Sequence, residues 1–390
     1  MTTFGPIFVP DELRQAVSDA SWLEAMLDAE RALTNAESLL GVVPAEVAGA
    51  IAEQCEPDRF DLDEIVRQGR AVGNPAEPLV RALRARVGGE AAAYVHFGAT
   101  SQDVVDSAAM LVAARSVDLV AAELAGAAAA AARLAEKHRM TPMAGRTLLQ
   151  QAVPTTFGAK AAGWLAGLLD ARQRLRDLRF PAQLGGAAGT LAPLGARGPE
   201  VLAAFAAELD LSEPVVPWHT QRAPLAAVGA ALDAAAAACG KIGLDVVLLA
   251  QTEVGEVAEA EGGASSTMPH KQNPVRAVLA RACARVVPAN TGLLGGGEHE
   301  HERAAGAWQA EWTALSEALA HAGGAAAAAR QCLEGLQVDP GRMRHNMSAS
   351  LTAERKALAA HGLVEPDGDY LGSAAAFVDR ALARWREEHA

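Results

Sequence analysis

The sequence predicts an all-α fold built around a bundle of long helices. Of its residues, 51% are hydrophobic but only 4% are aromatic, and tracts such as 121–132 and 234–238 consist mainly of alanine. Alanine is the best helix former, and its small side chain lets neighbouring helices approach closely. Several segments with helical spacing of apolar residues far exceed the usual helix length of about 11–12 residues, which indicates a long bundle.

Smaller helical domains are expected at both ends of the chain, over residues 1–98 and 338–390. In the first, apolar residues at helical spacing predict a helix or a helical pair over 11–40, and Pro44 opens another short helix. In the second, turn signals surround one or two short helices and indicate a short C-terminal appendage.

The central domain, residues 99–337, is expected to hold five long helices. Thr100-Ser101-Gln102-Asp103 matches the S/T-x-x-D/E capping box and predicts the start of the first one. A helix N-terminus that exposes Ser101 is also a place where an anion can bind. The five helices are expected over about 100–138, 155–178, 224–260, from Pro274 with a kink at Pro288, and up to about Leu333.

The composition argues against several classes of protein. A formal net charge of −13 argues against a nucleic-acid-binding surface, which needs a basic footprint. The four cysteines lie far apart without a CxxC pair, which favours buried thiols in a reducing compartment over a disulfide frame or zinc site. Residues 1–10 lack the pattern of a signal peptide, and no apolar stretch is typical of a membrane span. A cytoplasmic protein without nucleic-acid or membrane partners is therefore expected.

The stretch Glu298-His299-Glu300-His301-Glu302 does not predict a metal site, although it combines two common ligand types. Residues two apart do not share a face of a helix, and the HExxH spacing is absent. We expect a solvated or substrate-facing acidic turn. The alternative, a metal-dependent hydrolase that uses His299 and His301, would be inhibited by chelators.

The loop from Gly262 to Pro274 carries the clearest chemical signal. It places three consecutive hydroxyl side chains and Lys271 just before Asn273-Pro274, a pair that favours a new helix because Asn caps well and Pro fits the first turn. A serine is a weak base unless a cation, a helix dipole or a partner base activates it. Lys271 and the helix start supply the first two, so this loop suits the binding and deprotonation of an anion.

Three segments together resemble the fumarase/aspartase superfamily. Ser265–Pro274 resembles its signature S-S-x-M-P-x-K-x-N, Thr100–Asp103 its T-S-x-D segment, and Gly145–Pro154 its G-R-T-H-x-Q-x-A-x-P segment. They occur in the expected order, and the likeness spans roughly residues 10–335. The resemblance implies a long helical bundle and a homotetramer whose active sites combine the three segments from three subunits. It also implies that neither a metal nor an organic cofactor is needed.

One departure from the superfamily pattern indicates the branch. The lyases have a histidine after Gly-Arg-Thr that assists acid–base chemistry, and Leu148 occupies this position here. General acid assistance is worth roughly 10²–10⁴-fold when a basic amine or hydroxide must leave. A carboxylate leaves unassisted, because its conjugate acid has a pKa of about 4. The branch expected is thus one in which a carbon–oxygen bond to a carboxylate forms or breaks.

Further segments resemble the bacterial cycloisomerases of this superfamily that lactonise 3-carboxy-cis,cis-muconate, a tricarboxylate of the protocatechuate branch of aromatic degradation (the β-ketoadipate pathway). These segments are Gly145–Pro154, Trp218–Arg222 and Glu300–Arg303 with Trp308 and Glu311-Trp312. The alternatives are an adenylosuccinate-type or other fumarate-releasing lyase, which the missing histidine disfavours, and a non-catalytic helical assembly, which the intact Ser265–Asn273 stretch disfavours.

The resemblance implies a role for each matching residue. Ser265, or alternatively Ser266, would exchange the proton on carbon in an aci-carboxylate mechanism, and Lys271 would stabilise the developing charge. The remaining predicted site residues would bind the substrate: Thr100, Ser101, Arg146, Thr147, Gln150, Gln151, His219, Met268, His270, Asn273 and Arg303.

Overall fold

The computed structural model of the protein describes residues 4–260, 263–264, 268, 271–296, 299–365 and 369–388. Its Cα positions divide the chain into two compact units, each assembled from three segments. Unit 1 comprises Met1–Leu119, Asp177–Asp233 and Val286–His321, and unit 2 comprises Val120–Arg176, Ala234–Arg285 and Ala322–Ala390. The division into domains 1–98, 99–337 and 338–390 stays a prediction.

The N-terminal part of unit 1 is helical, as expected. Its helices are α1 (Gly5–Phe8), α2 (Asp11–Ala16), α3 (Asp19–Leu39), α4 (Ala45–Ala52), α5 (Leu62–Val72) and α6 (Ala76–Val87). The predicted helical pair over 11–40 corresponds to α2 and α3. The hydroxyl of Ser18 accepts a hydrogen bond from the N–H of Ser21 and so caps α3, whose apolar face is buried against α4.

The five long helices of the central region are confirmed. The helices from this region to the C-terminus are α7 (Ser101–Lys137), α8 (Phe157–Arg176), α9 (Gly198–Glu208), α10 (Ala223–Leu249), α11 (Val275–Thr291), α12 (Ala307–Glu334), α13 (Pro340–Asn346), α14 (Ala353–Ala360) and α15 (Ala374–Glu387). Pro288 lies inside α11. Within the described part of the chain, no helix combines the length and apolar character needed to cross a membrane.

The expected extent of α10 was wrong, because this helix ends at Leu249 and not near Ala260. Gly255 adopts a φ of +60°, which an L-residue disfavours, and the chain turns there. Residues beyond the turn then form a strand, Val257–Glu259, that pairs antiparallel with Leu336–Val338. This long-range pairing replaces the helical hydrogen bonds that the local sequence favours.

The segment between α7 and α8 forms a β-hairpin that the sequence did not predict. Strand β1 (Pro142–Thr147) pairs with β2 (Gln150–Thr156), with a bulge between Ala144 and Arg146. A Cβ atom on Gly145 would lie 2.7 Å from the carbonyl oxygen of Val153, so the bulge requires glycine. The hairpin is one of three two-stranded antiparallel pairs in the described residues, and the fold class remains all-α.

In its described residues, the C-terminal region forms three α-helices, more than the one or two expected. Asp339 caps α13 by accepting the N–H of Arg342 at 2.8 Å, and Pro340 occupies the first turn. Helix α15 packs against α8, and Arg384 of α15 forms an ion pair with Asp170 of α8 at 2.6 Å. Through its buried residues Val378 and Leu382, α15 is part of the core of unit 2.

Candidate functional site

The T-S-x-D segment begins α7 in unit 1, and its aspartate organises the surroundings. The Oδ2 atom of Asp103 accepts the N–H of Thr100 at 3.0 Å, which confirms the predicted cap. The same carboxylate accepts the N–H groups of Gly185 and Gly186 at 3.0 and 2.9 Å. It also lies 2.6 Å from Nε2 of His219. Thr100 and His219 are thus held together through the buried Asp103, with Ser101 at the first position of α7.

A buried ion cluster lies one helical turn further along α7. Arg222 donates to Asp106 at 2.7 and 2.9 Å and to Glu311 at 2.6 Å, and its side chain is 2% exposed. Burial alone lowers the pKa of Arg222, but the charges and hydrogen bonds of Asp106 and Glu311 outweigh this and raise it. Trp308 completes the cluster by donating to Asp106 at 3.0 Å. The cluster fixes the starts of α7 and α12 relative to the Arg222 loop.

The histidine-rich stretch before α12, expected to be a solvated or substrate-facing turn, is not solvated at His299. The side chain of His299 is 1% exposed, and its Nε2 lies 3.6 Å from Oε1 of Glu311. Nearby, Arg303 donates to the carbonyl oxygens of Gly186 and Ala187 at 2.8 and 3.2 Å. Burial lowers the pKa of Arg303, while the charges of Asp103 and Asp106 oppose this. Across the residues that the structure describes, no three His, Cys, Asp or Glu side chains form a group suited to a metal ion.

Sequence reasoning missed the role of His96, which lies in the turn just before Thr100. Its Nδ1 is 2.6 Å from the buried carboxylate of Glu30, and its φ is +62°. Burial lowers the pKa of His96, but the adjacent Glu30 outweighs this and raises it. The pair fixes the turn that leads into the T-S-x-D segment. No local signal reveals it, because Glu30 lies in a distant helix.

Unit 1 also contains a cavity of about 830 Å³, large enough for a small organic ligand. Its wall includes Trp22, Met26, Ile65, Val105 and Trp312, with Arg14 among the charged residues. Val105 lies one turn after Ser101 on α7, so this cavity borders the helix that carries the T-S-x-D segment. None of the predicted site residues in the described part of the chain lines it.

The G-R-T segment forms the β1–β2 hairpin in unit 2. Thr147 and Gln150 flank a two-residue turn of Leu148 and Leu149, whose φ angles are +51° and +63°. All four side chains are exposed, Leu148 to 97%. This is the geometry of a type I′ turn, which Asn-Gly favours and leucine does not. The position where the lyases have histidine is therefore the tip of a projecting hairpin.

Arg146 and Gln151 were predicted to bind substrate. In this structure their side chains form hydrogen bonds with other parts of unit 2. Arg146 donates to both carboxylate oxygens of Glu256, at 2.6 and 3.0 Å. Gln151 donates to the carbonyl oxygen of Asn346 at 2.8 Å and accepts the N–H of Ser348 at 3.2 Å. Both side chains anchor the hairpin, and their contact with substrate stays a prediction.

The signature loop is described only in part. Ser265, Ser266 and His270 lie outside the described residues, whereas Met268 and Lys271 are exposed. Asn273 donates to the carbonyl oxygen of Gly263 at 3.1 Å, and these two residues are paired strand partners. The base of the loop is therefore closed by the strands 263–264 and 272–273.

The start of α11 is not the open anion site that the sequence suggested. The carboxylate of Glu259 accepts the N–H of Arg276 at 3.0 Å and the N–H of Ala277 at 2.8 Å. Because these first-turn donors and the helix dipole already stabilise the charge of Glu259, they are not available to a substrate anion. Of the two groups expected to activate a loop serine, Lys271 and the helix start, the helix start is thus already bound to Glu259.

The structure thus places the predicted residues in two sets. Thr100, Ser101, His219 and Arg303 surround Asp103 in unit 1. Hairpin and loop residues lie in unit 2, where Thr147, Gln150, Met268 and Lys271 are exposed and Asn273 closes the loop base. Each set contains neutral hydrogen-bond donors and at least one cation, the kinds of group that bind carboxylates, and contact of either set with a substrate stays a prediction.

Known proteins share both the sequence and the fold. Residues 9–288 match the family described as lyase. A nitrosuccinate lyase of Streptomyces davaonensis is 49% identical over 359 residues, which cover 88% of this chain and 76% of that protein. A 3-carboxy-cis,cis-muconate cycloisomerase of Bradyrhizobium diazoefficiens is 45% identical over 363 residues, covering 90% and 80% of the two chains.

Among solved structures, the 3-carboxy-cis,cis-muconate lactonizing enzyme from Pseudomonas putida superimposes with a TM-score of 0.91. It is 36% identical in sequence, and the match covers 100% of both chains. The family match, the relatives that align over most of the chain and this shared fold confirm the resemblance to the fumarase/aspartase superfamily that the three motifs indicated. The chain belongs to the lyase family of the fumarase/aspartase superfamily.

Proposed function

We propose that the protein interconverts 3-carboxy-cis,cis-muconate and 4-carboxymuconolactone, as a cycloisomerase of aromatic degradation. Relatives of this name from Bradyrhizobium diazoefficiens, Pseudomonas aeruginosa and Pseudomonas putida are 45%, 44% and 43% identical to the chain. The observation that carries the proposal is Leu148, which stands at the exposed hairpin tip where the lyases have their histidine.

The chemistry needs no acid at that tip. In the lactonising direction, an oxygen of one substrate carboxylate bonds to a carbon of the diene. The electron pair moves onto the carbon beside another carboxylate and gives an aci-carboxylate, and that carbon takes a proton from the loop serine. In reverse, the serine removes this proton and the carboxylate departs with the electron pair of the carbon–oxygen bond. Its conjugate acid has a pKa of about 4, so it leaves as an anion.

The proposed roles follow the predicted site. Ser265, with Ser266 as the alternative, transfers the carbon-bound proton, and Lys271 stabilises the charge of the aci-carboxylate. Thr100 and Ser101 at the start of α7 bind a second carboxylate, and Thr147 and Gln150 at the hairpin tip bind a third. We further propose a homotetramer in which different subunits contribute these segments to one site.

Nitrosuccinate is the second candidate substrate, and two observations favour it. The Streptomyces davaonensis relative named for this reaction is 49% identical to the chain. Nitrite, the group expelled when nitrosuccinate gives fumarate, is the anion of an acid about as strong as a carboxylic acid, so Leu148 is compatible with this elimination too. The two reactions differ in whether the leaving group stays attached to the product's carbon skeleton.

The test is turnover of each substrate by the purified protein without added metal. Loss of the conjugated-diene absorbance of 3-carboxy-cis,cis-muconate is the expected result, with Ser265→Ala reducing the rate at least a hundredfold. A full rate in Ser265→Ala rules out proton transfer by Ser265 and directs the test to Ser266→Ala. Release of nitrite from nitrosuccinate with no change in the diene establishes the second candidate, and activity with neither contradicts both.

A further inference from the structure

The two strands of the hairpin are tied to one residue of the C-terminal segment. Arg146 and Gln151 face each other across β1 and β2, directly next to the pair Thr147 and Gln150 that flanks the turn. Gln151 contacts Asn346, the last residue of α13, directly, and Arg146 is linked to it through the carboxylate of Glu256. These contacts therefore hold the strand pair that lies next to the hairpin tip.

The first connection runs through a fully buried charge. The carboxylate of Glu256 is 0% exposed and receives Arg146 at 2.6 and 3.0 Å. The side-chain amide of Asn346 donates to the same carboxylate at 2.9 Å and to the carbonyl oxygen of Val254 at 2.7 Å. An amide NH₂ offers two donors, so one side chain binds the buried carboxylate and a backbone carbonyl oxygen at once. A buried carboxylate that loses a donor is strongly destabilised.

The second connection uses the backbone at the end of α13. Gln151 donates to the carbonyl oxygen of Asn346 at 2.8 Å and accepts the N–H of Ser348 at 3.2 Å. A carbonyl at a helix C-terminus has no helical partner, so this bond also satisfies the end of α13. The side chain of Gln151 is thereby clamped on both its amide nitrogen and its amide oxygen.

The tip requires such an anchor. A two-stranded hairpin is marginally stable by itself, and a left-handed backbone costs an L-residue free energy at both Leu148 and Leu149. Thr147 and Gln150 therefore keep one orientation only if the strand pair below them is held from outside.

We propose that Asn346 is a positioning residue, through which the C-terminal segment around α13 fixes Thr147 and Gln150 for binding a substrate carboxylate. The inference rests on the proposed function for the role of these two tip residues, but its geometry is independent of which substrate is used. Carboxylates are bound in the ground state and the transition state alike, so a displaced tip raises KM more than it lowers kcat.

The experiment compares Asn346→Leu, which keeps the approximate side-chain size but removes both donors, with Arg344→Ala on the exposed side of the same helix. Amide hydrogen exchange of residues 143–154 is measured in the full-length protein, together with kcat and KM for whichever substrate the wild type turns over. We expect at least tenfold faster exchange confined to the hairpin, and roughly a ten- to hundredfold rise in KM, in Asn346→Leu only. Arg344→Ala should match the wild type.

A second variant keeps the inference testable if Asn346→Leu does not fold. Gln151→Ala removes only the direct bonds from an exposed side chain, and its exchange rate should rise in the same peptide. Unchanged hairpin exchange in the folded variants, or faster exchange throughout the chain with an unchanged KM, overturns the positioning role. A wild type that turns over neither proposed substrate refutes the proposed function, and hairpin exchange then still decides the inference.

Discussion

Replacing Arg222 by methionine tests whether the buried ion cluster holds unit 1 together. The substitution keeps much of the side-chain length but leaves Asp106 and Glu311 without their shared cation, at side-chain exposures of 1% and 3%. It also removes a guanidinium that lies 4.7 Å from the ring centroid of Trp218. Removing one partner of a buried ion pair costs about 3–5 kcal/mol, because the remaining charge is left without compensation. We expect a loss of that size in the free energy of unfolding.

The assay is chemical denaturation of the wild type and Arg222→Met at the same protein concentration, followed by far-ultraviolet circular dichroism. Arg139→Met is the matched control, since Arg139 also binds a carboxylate, Asp379, through two hydrogen bonds but at an exposed position. This control should change the stability far less, because solvent screens exposed pairs. A loss below about 1 kcal/mol in Arg222→Met, or an equal loss in both variants, would refute the reasoning.

Three further predictions concern Glu37, Glu259 and Leu148. Burial, together with the charge of Glu30, raises the pKa of Glu37 from 4.5 to about 8, so wild-type stability should fall as pH rises between these values. Glu37→Gln should gain stability relative to the wild type across that window; a constant difference in denaturation midpoints contradicts this. Glu259→Ala should cost about 1–2 kcal/mol and speed amide exchange at the start of α11, whereas unchanged exchange there would disprove the cap. Leu148→His should leave kcat with 3-carboxy-cis,cis-muconate within about twofold, and a tenfold gain would show that an acid was missing.

Features encoded by local sequence were predictable. The start of α7 follows from Thr100 and Asp103, because a capping box needs only residues three apart. The five long helices follow from alanine content and apolar spacing. The three motifs were sufficient to identify the superfamily, which the comparisons confirm.

Features that depend on distant partners were not predictable. The hairpin was missed because its turn contains Leu148-Leu149, which carries none of the usual turn chemistry. Arg222 was visible as a charged loop residue, but Asp106 and Glu311 are 116 and 89 positions away. Likewise, α10 ends earlier than expected because the residues after it form other interactions. Glu256 forms an ion pair with Arg146, and the next residues pair with the strand Leu336–Val338.

The central claim is that the site acts on a weakly basic leaving group and therefore dispenses with a histidine at Leu148. It is tested most directly by comparing kcat/KM for 3-carboxy-cis,cis-muconate, nitrosuccinate and adenylosuccinate with one preparation of the protein. We predict the highest value for 3-carboxy-cis,cis-muconate and at least a thousandfold lower value for adenylosuccinate, whose leaving group is an amine. Fumarate release from adenylosuccinate at a comparable kcat/KM would contradict the account.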